Sequence, residues 1–296
     1  MKLTKITGII TCAALMLTGM AACSSGSPSS KGSDGSKSAD LGSIAVISRE
    51  DGSGTRGAFT ELMEITDADG NDATVETAEV TNSTSVMMTT VAGNKSSIGY
   101  VSLGSLSSDV KALKVDGAEP TVENIKAGKY KVARPFNLVF NKSDLSDIAS
   151  DFVSFILSKE GQTIIGKEGY ISQDATESYK ASGLKGTVSL AGSTSVSPVM
   201  EVIADEYKKL NPNVTVEIQQ SGSSAGISSA IEKACDIGMS SRALSDEEAK
   251  KIKSTQIATD GIAVIVNKSN SVTGLTSEQI KNIFLGTTTE WNEVVK

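Results

Sequence analysis

The stretch Thr187-Val188-Ser189-Leu190-Ala191-Gly192-Ser193-Thr194-Ser195-Val196-Ser197-Pro198-Val199 sets the fold class. It reads as a short strand, a hydroxyl-rich turn and the opening of a helix. Val199, Ile203, Ala204 and Tyr207 continue it at helical spacing, and Pro198 suits the first helical turn. The pattern recurs downstream. The alternating run Val214-Thr215-Val216-Glu217-Ile218 leads into Gln220-Ser221-Gly222-Ser223-Ser224-Ala225-Gly226, after which Ile227, Ala230 and Ile231 mark a helix face. Strand-to-helix turns of this kind are where open α/β sheets bind ligands, so both segments predict an α/β body with a ligand site at its turns.

A third stretch has the same chemistry. Arg49-Glu50-Asp51-Gly52-Ser53-Gly54-Thr55-Arg56 places two guanidiniums, two hydroxyls and two glycines in one turn before a helical pattern. Glycines admit backbone N–H groups close to a ligand, a helix start offers unpaired N–H groups, and arginine supplies forked donors matched to oxyanions.

Composition narrows the function classes. The 296-residue chain carries a formal charge of -7 and is 4% aromatic, which argues against a nucleic-acid surface. It contains no histidine. Gly222-Ser223-Ser224-Ala225-Gly226 fits the G-x-S-x-G elbow, but without histidine Ser224 has no triad base. Gly161-Gln162-Thr163-Ile164-Ile165-Gly166-Lys167-Glu168 resembles a P-loop, yet Glu168 stands where the metal-binding hydroxyl is required. With no Cys pair in the body either, the reading is a non-enzymatic protein without metal or cofactor. Cys235 follows Ile231-Glu232-Lys233-Ala234 and reads as a small apolar residue. Ser245-Asp246-Glu247-Glu248 and Thr276-Ser277-Glu278-Gln279 read as capping boxes.

Lys2 and Lys5 precede a short apolar run from Ile6 to Met20, which suits an export signal better than a membrane span. The run closes at Met20-Ala21-Ala22-Cys23, similar to a bacterial lipobox cut before the cysteine. Residues 1–23 are therefore expected to form a lipoprotein leader and residues 24–41 a Ser/Gly tether. A lipid on Cys23 would hold the body, extracytoplasmic, at the outer face of the membrane.

Taken together, AGSTSVSP (191–198), QSGSSAGI (220–227), DIGMSSR (236–242), TDGIAVIVN (259–267), LTSEQIKNIFLG (275–286), TTEWNEV (288–294), ISREDGSGTRGAF (47–59) and IGYVSLGS (98–105) resemble the phosphate-binding lipoproteins of bacterial ABC phosphate importers. The resemblance covers nearly the whole mature chain. It implies a two-lobed periplasmic-binding-protein fold, hinged and acting as a monomer, that closes on inorganic phosphate and passes it to the permease subunits. Carried over by motif, the ligand contacts are Thr194, Ser195, Ser223, Arg49, Ser53, Gly54 and Thr55.

Two departures from the family pattern shape further expectations. Ser241 occupies the place of an aspartate that accepts the proton of hydrogen phosphate, so Asp260 becomes the candidate acceptor and Asp51 the second. Arg56 and Arg242 each adjoin a ligand loop. Either could reach the anion or pair with a carboxylate such as Asp51, and the pairing role is favoured. The motif order is also rotated, which the resemblance implies is a circular permutation. The ancestral ends would be joined between Ile171 and Gly186, and new ends opened between Trp291 and Ile44. On that basis residues 131–270 form one continuous lobe containing a joining linker at about 172–186. Residues 42–130 and 271–296 form the other lobe. Rival readings are the same fold tuned to sulfate, molybdate or tungstate, and a surface sensor or adhesion protein uncoupled from transport.

Overall fold

A computed structural model describes residues 41–141 and 143–294. The expected leader, the lipidation site Cys23 and the tether up to Asp40 lie outside the described residues. Of the described helices, none is long and apolar enough to cross a membrane.

The first half begins with β1 (Ala45–Arg49), which runs into α1 (Gly54–Leu62). β2 (Glu79–Thr81), α2 (Thr84–Gly93) and β3 (Ser97–Ser102) follow, with β1 paired in parallel to both neighbouring strands. β4 (Val110–Ala112), β5 (Lys114–Val115) and α3 (Val122–Lys126) then lead to β6 (Ala133–Phe140). Beyond β6 come α4 (Asp147–Leu157), α5 (Lys159–Lys167) and β7 (Ile171–Ser172). The two strand–turn–helix units read from the sequence appear as β8 (Gly186–Gly192) with α6 (Ser197–Leu210), and β9 (Val214–Gln220) with α7 (Ser223–Ile231). β10 (Ile237–Ser240) and α8 (Asp246–Ala249) precede the long strand β11 (Lys253–Asn267). β12 (Gly274–Leu275), α9 (Ser277–Phe284) and α10 (Trp291–Val294) close the chain.

Ten strands share one sheet, in the order β2-β1-β3-β11-β6-β10-β8-β9, with β4 and β7 also on β11. β11 is the link between two halves. Its residues Lys253–Gly261 pair with β6, and Ile262–Val266 pair with β3, both antiparallel. The hydrophobic cores divide at the same point. Phe136, Phe152, Phe155, Tyr207 and Ile257 pack in one, whereas Phe59, Tyr100, Ile262, Val264, Phe284 and Trp291 pack in the other. Each such side chain contributes about 1.5–3 kcal/mol on burial, so each half sustains a core of its own. The chain thus has the two-domain α/β architecture of the periplasmic-binding-protein fold, with Arg134 and Asp260 facing each other where it crosses. Ile262–Asn267, which the sequence reading grouped with the continuous lobe, instead pairs with β3 and β4 and packs in the other one. Fifteen residues of unbroken strand carry the backbone through the crossing, so no turn marks it in the sequence.

Local signals fix several helix ends. Ser245 with Glu248 and Thr276 with Gln279 form the two expected capping boxes at α8 and α9. Residues 173–185 have no helix or strand and are mostly exposed. The described ends of the chain meet: Ile44 donates its N–H to the Thr289 carbonyl at 2.7 Å, and Trp291 donates to the Gly42 carbonyl at 3.1 Å.

Candidate functional site

The carboxyl ends of β1 and β8 face each other across the junction of the two halves. Arg49, the last residue of β1, is 2% exposed although it is charged. Its backbone N–H donates to the Tyr100 hydroxyl at 3.2 Å, and that phenol is pushed up to about 12 by burial, so it stays neutral. The guanidinium forks onto Glu50, with Nε and Nη2 each 2.8 Å from a carboxylate oxygen. Nη2 also donates to Thr194 Oγ1 at 3.0 Å, across the junction.

Around this contact the hydroxyls face inwards. Thr55 Oγ1 lies 2.9 Å from Ser195 Oγ, and Ser223 Oγ lies 3.3 Å from Ser241 Oγ while accepting the Ser241 N–H at 3.1 Å. Thr55, Ser53, Thr194, Ser195, Ser223 and Ser241 are all buried. Local capping explains which hydroxyls remain for the cleft. Ser193 accepts the N–H groups of Ser195 and Val196 at 3.2 and 3.4 Å, leaving Thr194 and Ser195 to project across. Ser53 caps α1 by accepting the Arg56 N–H at 3.3 Å, so its hydroxyl serves the helix. Gly54 permits the approach of the two halves, because a Cβ there would overlap the hydroxyls of Ser223 and Ser241. Gly52, at φ +81°, aims its carbonyl at the Ser224 N–H at 3.1 Å.

The carboxylates near the cleft are engaged elsewhere. Asp260, 1% exposed, takes Nη2 and Nε of Arg134 on Oδ2 at 3.1 and 3.3 Å, and Oδ1 accepts the Gly104 N–H at 3.4 Å. None of these bonds goes to the hydroxyl cluster. Burial pushes the Asp260 carboxyl up, and the Arg134 charge opposes that shift. Arg134 also donates Nη1 to the Ser241 carbonyl at 3.2 Å, so it underlies the cleft. Asp51 points outwards, its side chain 97% exposed, and pairs with Arg56 at 2.7 Å. Arg56 further reaches Asp72 at 2.5 Å and the Arg49 carbonyl at 2.9 Å. Arg242 forks onto Glu248 at 2.7 and 2.8 Å and donates to Ser224 Oγ at 3.0 Å. Both outer arginines therefore brace loops that border the cleft.

Three residues of the site were not read from the sequence. Glu50 forks Arg49, Arg134 underlies Ser241, and Thr84, at the start of α2, sits 3.2 Å from Ser195 Oγ. The pattern Asn82-Ser83-Thr84 before an apolar run was the available signal for Thr84, since it is a helix start. Among the described residues no group of three or more Cys, Asp or Glu side chains could hold a metal ion. What the arrangement offers is a set of N–H and O–H donors around one guanidinium, a recipe for a dehydrated oxyanion.

A two-lobed α/β body with such a cleft between its lobes is the architecture of a solute-binding protein, and comparison with known proteins narrows this further. A family model described as a PBP superfamily domain matches residues 34–160 and 177–296. The phosphate-binding protein PstS 2 of Streptococcus agalactiae is 52% identical over 269 residues, covering 89% of this chain and 92% of that one. PstS 2 of Streptococcus pneumoniae is 44% identical over 294 residues, covering 98% and 99%. A crystal structure of the phosphate-binding protein of a phosphate ABC transporter from Streptococcus pneumoniae matches with a TM-score of 0.69 at 46% identity, covering 86% of this chain and 100% of that one. The chain belongs to the PstS family of phosphate-binding proteins.

Proposed function

We propose that this chain captures inorganic phosphate between its lobes and delivers it to the permease of an ABC importer, as a monomeric, non-enzymatic receptor anchored outside the cytoplasmic membrane by a lipid on Cys23. The observation that carries the reading is the Arg49–Thr194 bond, a buried guanidinium of one lobe meeting a hydroxyl of the other. Thr194, Ser195, Ser223 and Ser241 contact the anion from one side, and Arg49, Gly54 and Thr55 from the other. Ser53 acts by capping α1, and Asp260 acts through Arg134.

Hydroxyl–hydroxyl bonds across the cleft become charge-assisted when an anion takes the place of one partner, which roughly doubles their strength. Since each lobe supplies donors the other lacks, bound phosphate favours the closed form by its differential affinity, and a permease can read that form. The motif order fits a circular permutation: the described ends of the chain lie side by side, and residues 173–185 form an irregular exposed connection suited to joining older ends.

Phosphate uptake in cells lacking their own receptor tests the proposal. Expression of this chain should restore uptake, and the Arg49→Ala chain should not. Tight binding without restored uptake would favour a surface sensor.

A further inference from the structure

Helix α2 brings to the cleft a residue whose sequence signal is only that of a helix start. β2 pairs with β1 so that Thr81 lies opposite Arg49, the Glu50 N–H donates to the Thr81 carbonyl at 2.9 Å, and the start of α2 is thereby held beside the guanidinium. Ser83 caps the helix by accepting the Val86 N–H at 3.2 Å, which leaves the next hydroxyl, that of Thr84, free of a capping role. Thr84 is 4% exposed. Its Oγ1 lies 3.2 Å from Ser195 Oγ and 3.4 Å from Thr194 Oγ1, and it accepts from Arg49 Nη1 at 3.5 Å. Three separate members of the anion cluster therefore converge on one oxygen.

We propose that Thr84 is a direct phosphate ligand and that the start of α2 is a fourth arm of the site, beside those of α1, α6 and α7. This rests on the cleft binding phosphate at all. The chemistry follows from charge. Glu50 already neutralises Arg49 and Asp260 neutralises Arg134, so the cleft holds no excess cation for a dianion. Neutral donors have to make up the difference. A threonine at the first position of a ten-residue helix supplies a hydroxyl, and behind it stand backbone N–H groups without intrahelical partners and the positive end of the helix dipole. The long Thr84 contacts to Thr194 and Arg49 give way to shorter bonds to a phosphate oxygen received by all three groups, because charge-assisted bonds are shorter than neutral ones.

The test is calorimetric titration of the soluble body with inorganic phosphate for the wild type, Thr84→Val and Thr84→Ser, with the Tm of each protein measured without and with phosphate. Valine keeps the shape and removes the hydroxyl, and serine keeps the hydroxyl. The expected result is a Kd weakened on the order of 10- to 100-fold in Thr84→Val, with most of the affinity retained in Thr84→Ser. The phosphate-free Tm should change little in either variant, while the phosphate-induced rise in Tm shrinks in Thr84→Val only. Wild-type affinity in Thr84→Val would overturn the proposal. So would equal weakening by valine and serine, because serine keeps the hydroxyl and a loss common to both variants would follow from altered packing of the site. An absence of phosphate binding by the wild type would instead overturn the functional reading on which this one rests.

Discussion

Arg49 and Arg134 are both buried guanidiniums held by a carboxylate, yet they stand in different settings. Arg49 forks onto its sequence neighbour Glu50, whose side chain is 25% exposed, and it also touches Thr194 of the opposite lobe. Arg134 holds Asp260, a residue 126 positions away, and both side chains are 1% exposed. The first pair keeps a donor turned towards the cleft and a wet partner that can adjust when an anion arrives. The second joins β6 to β11 where the backbone passes from one lobe to the other. One arrangement serves binding and the other the frame around it. A buried cation takes its role from where its carboxylate comes from and how much water that carboxylate retains.

Removing each arginine should separate the two roles. Arg134→Ala leaves Asp260 as an uncompensated buried charge and strips the guanidinium from beside the Phe136 ring, so it should lower stability by about 3–5 kcal/mol. Arg49→Ala should cost less in folding, because Glu50 reaches water, and more in phosphate affinity. Urea midpoints for the two variants measure the contrast, and equal losses of stability would break it. A third pair calibrates the lower end. The hydrogen bond from Arg242 holds Glu248 below the ordinary glutamate pKa. Its stabilisation is therefore complete above that ordinary value and is lost as the pH falls through the lower folded-state value. Both side chains are 21% exposed, so the contribution should stay below about 1 kcal/mol, and the urea midpoints of the wild type and Glu248→Gln should converge in acid.

What was legible in the sequence was local. The turns at Arg49–Arg56, Ala191–Ser195 and Gln220–Gly226 each sit between a strand and a helix within one continuous stretch, so periodicity and turn chemistry sufficed to find them. The capping boxes at Ser245 and Thr276 were legible for the same reason. Arg134 was not, because it lies in the run Ala133–Phe140 and its partner is supplied only by the antiparallel register with β11. Thr84 was hidden in another way: a Ser-Thr pair before a helix reads as a cap, and only the β1–β2 pairing shows that the second hydroxyl faces Arg49. Asp260 invited a direct role in the cleft by its position in Thr259-Asp260-Gly261, and the register assigns its oxygens to Arg134 and Gly104.

The central claim, that this cleft captures phosphate, is tested most directly by calorimetric titration of residues 24–296 with phosphate at neutral pH, alone and with excess sulfate. The account predicts tight one-to-one phosphate binding, and the sulfate competition reports how far a cleft of donors discriminates between the two anions. A folded protein that binds no phosphate would contradict the account.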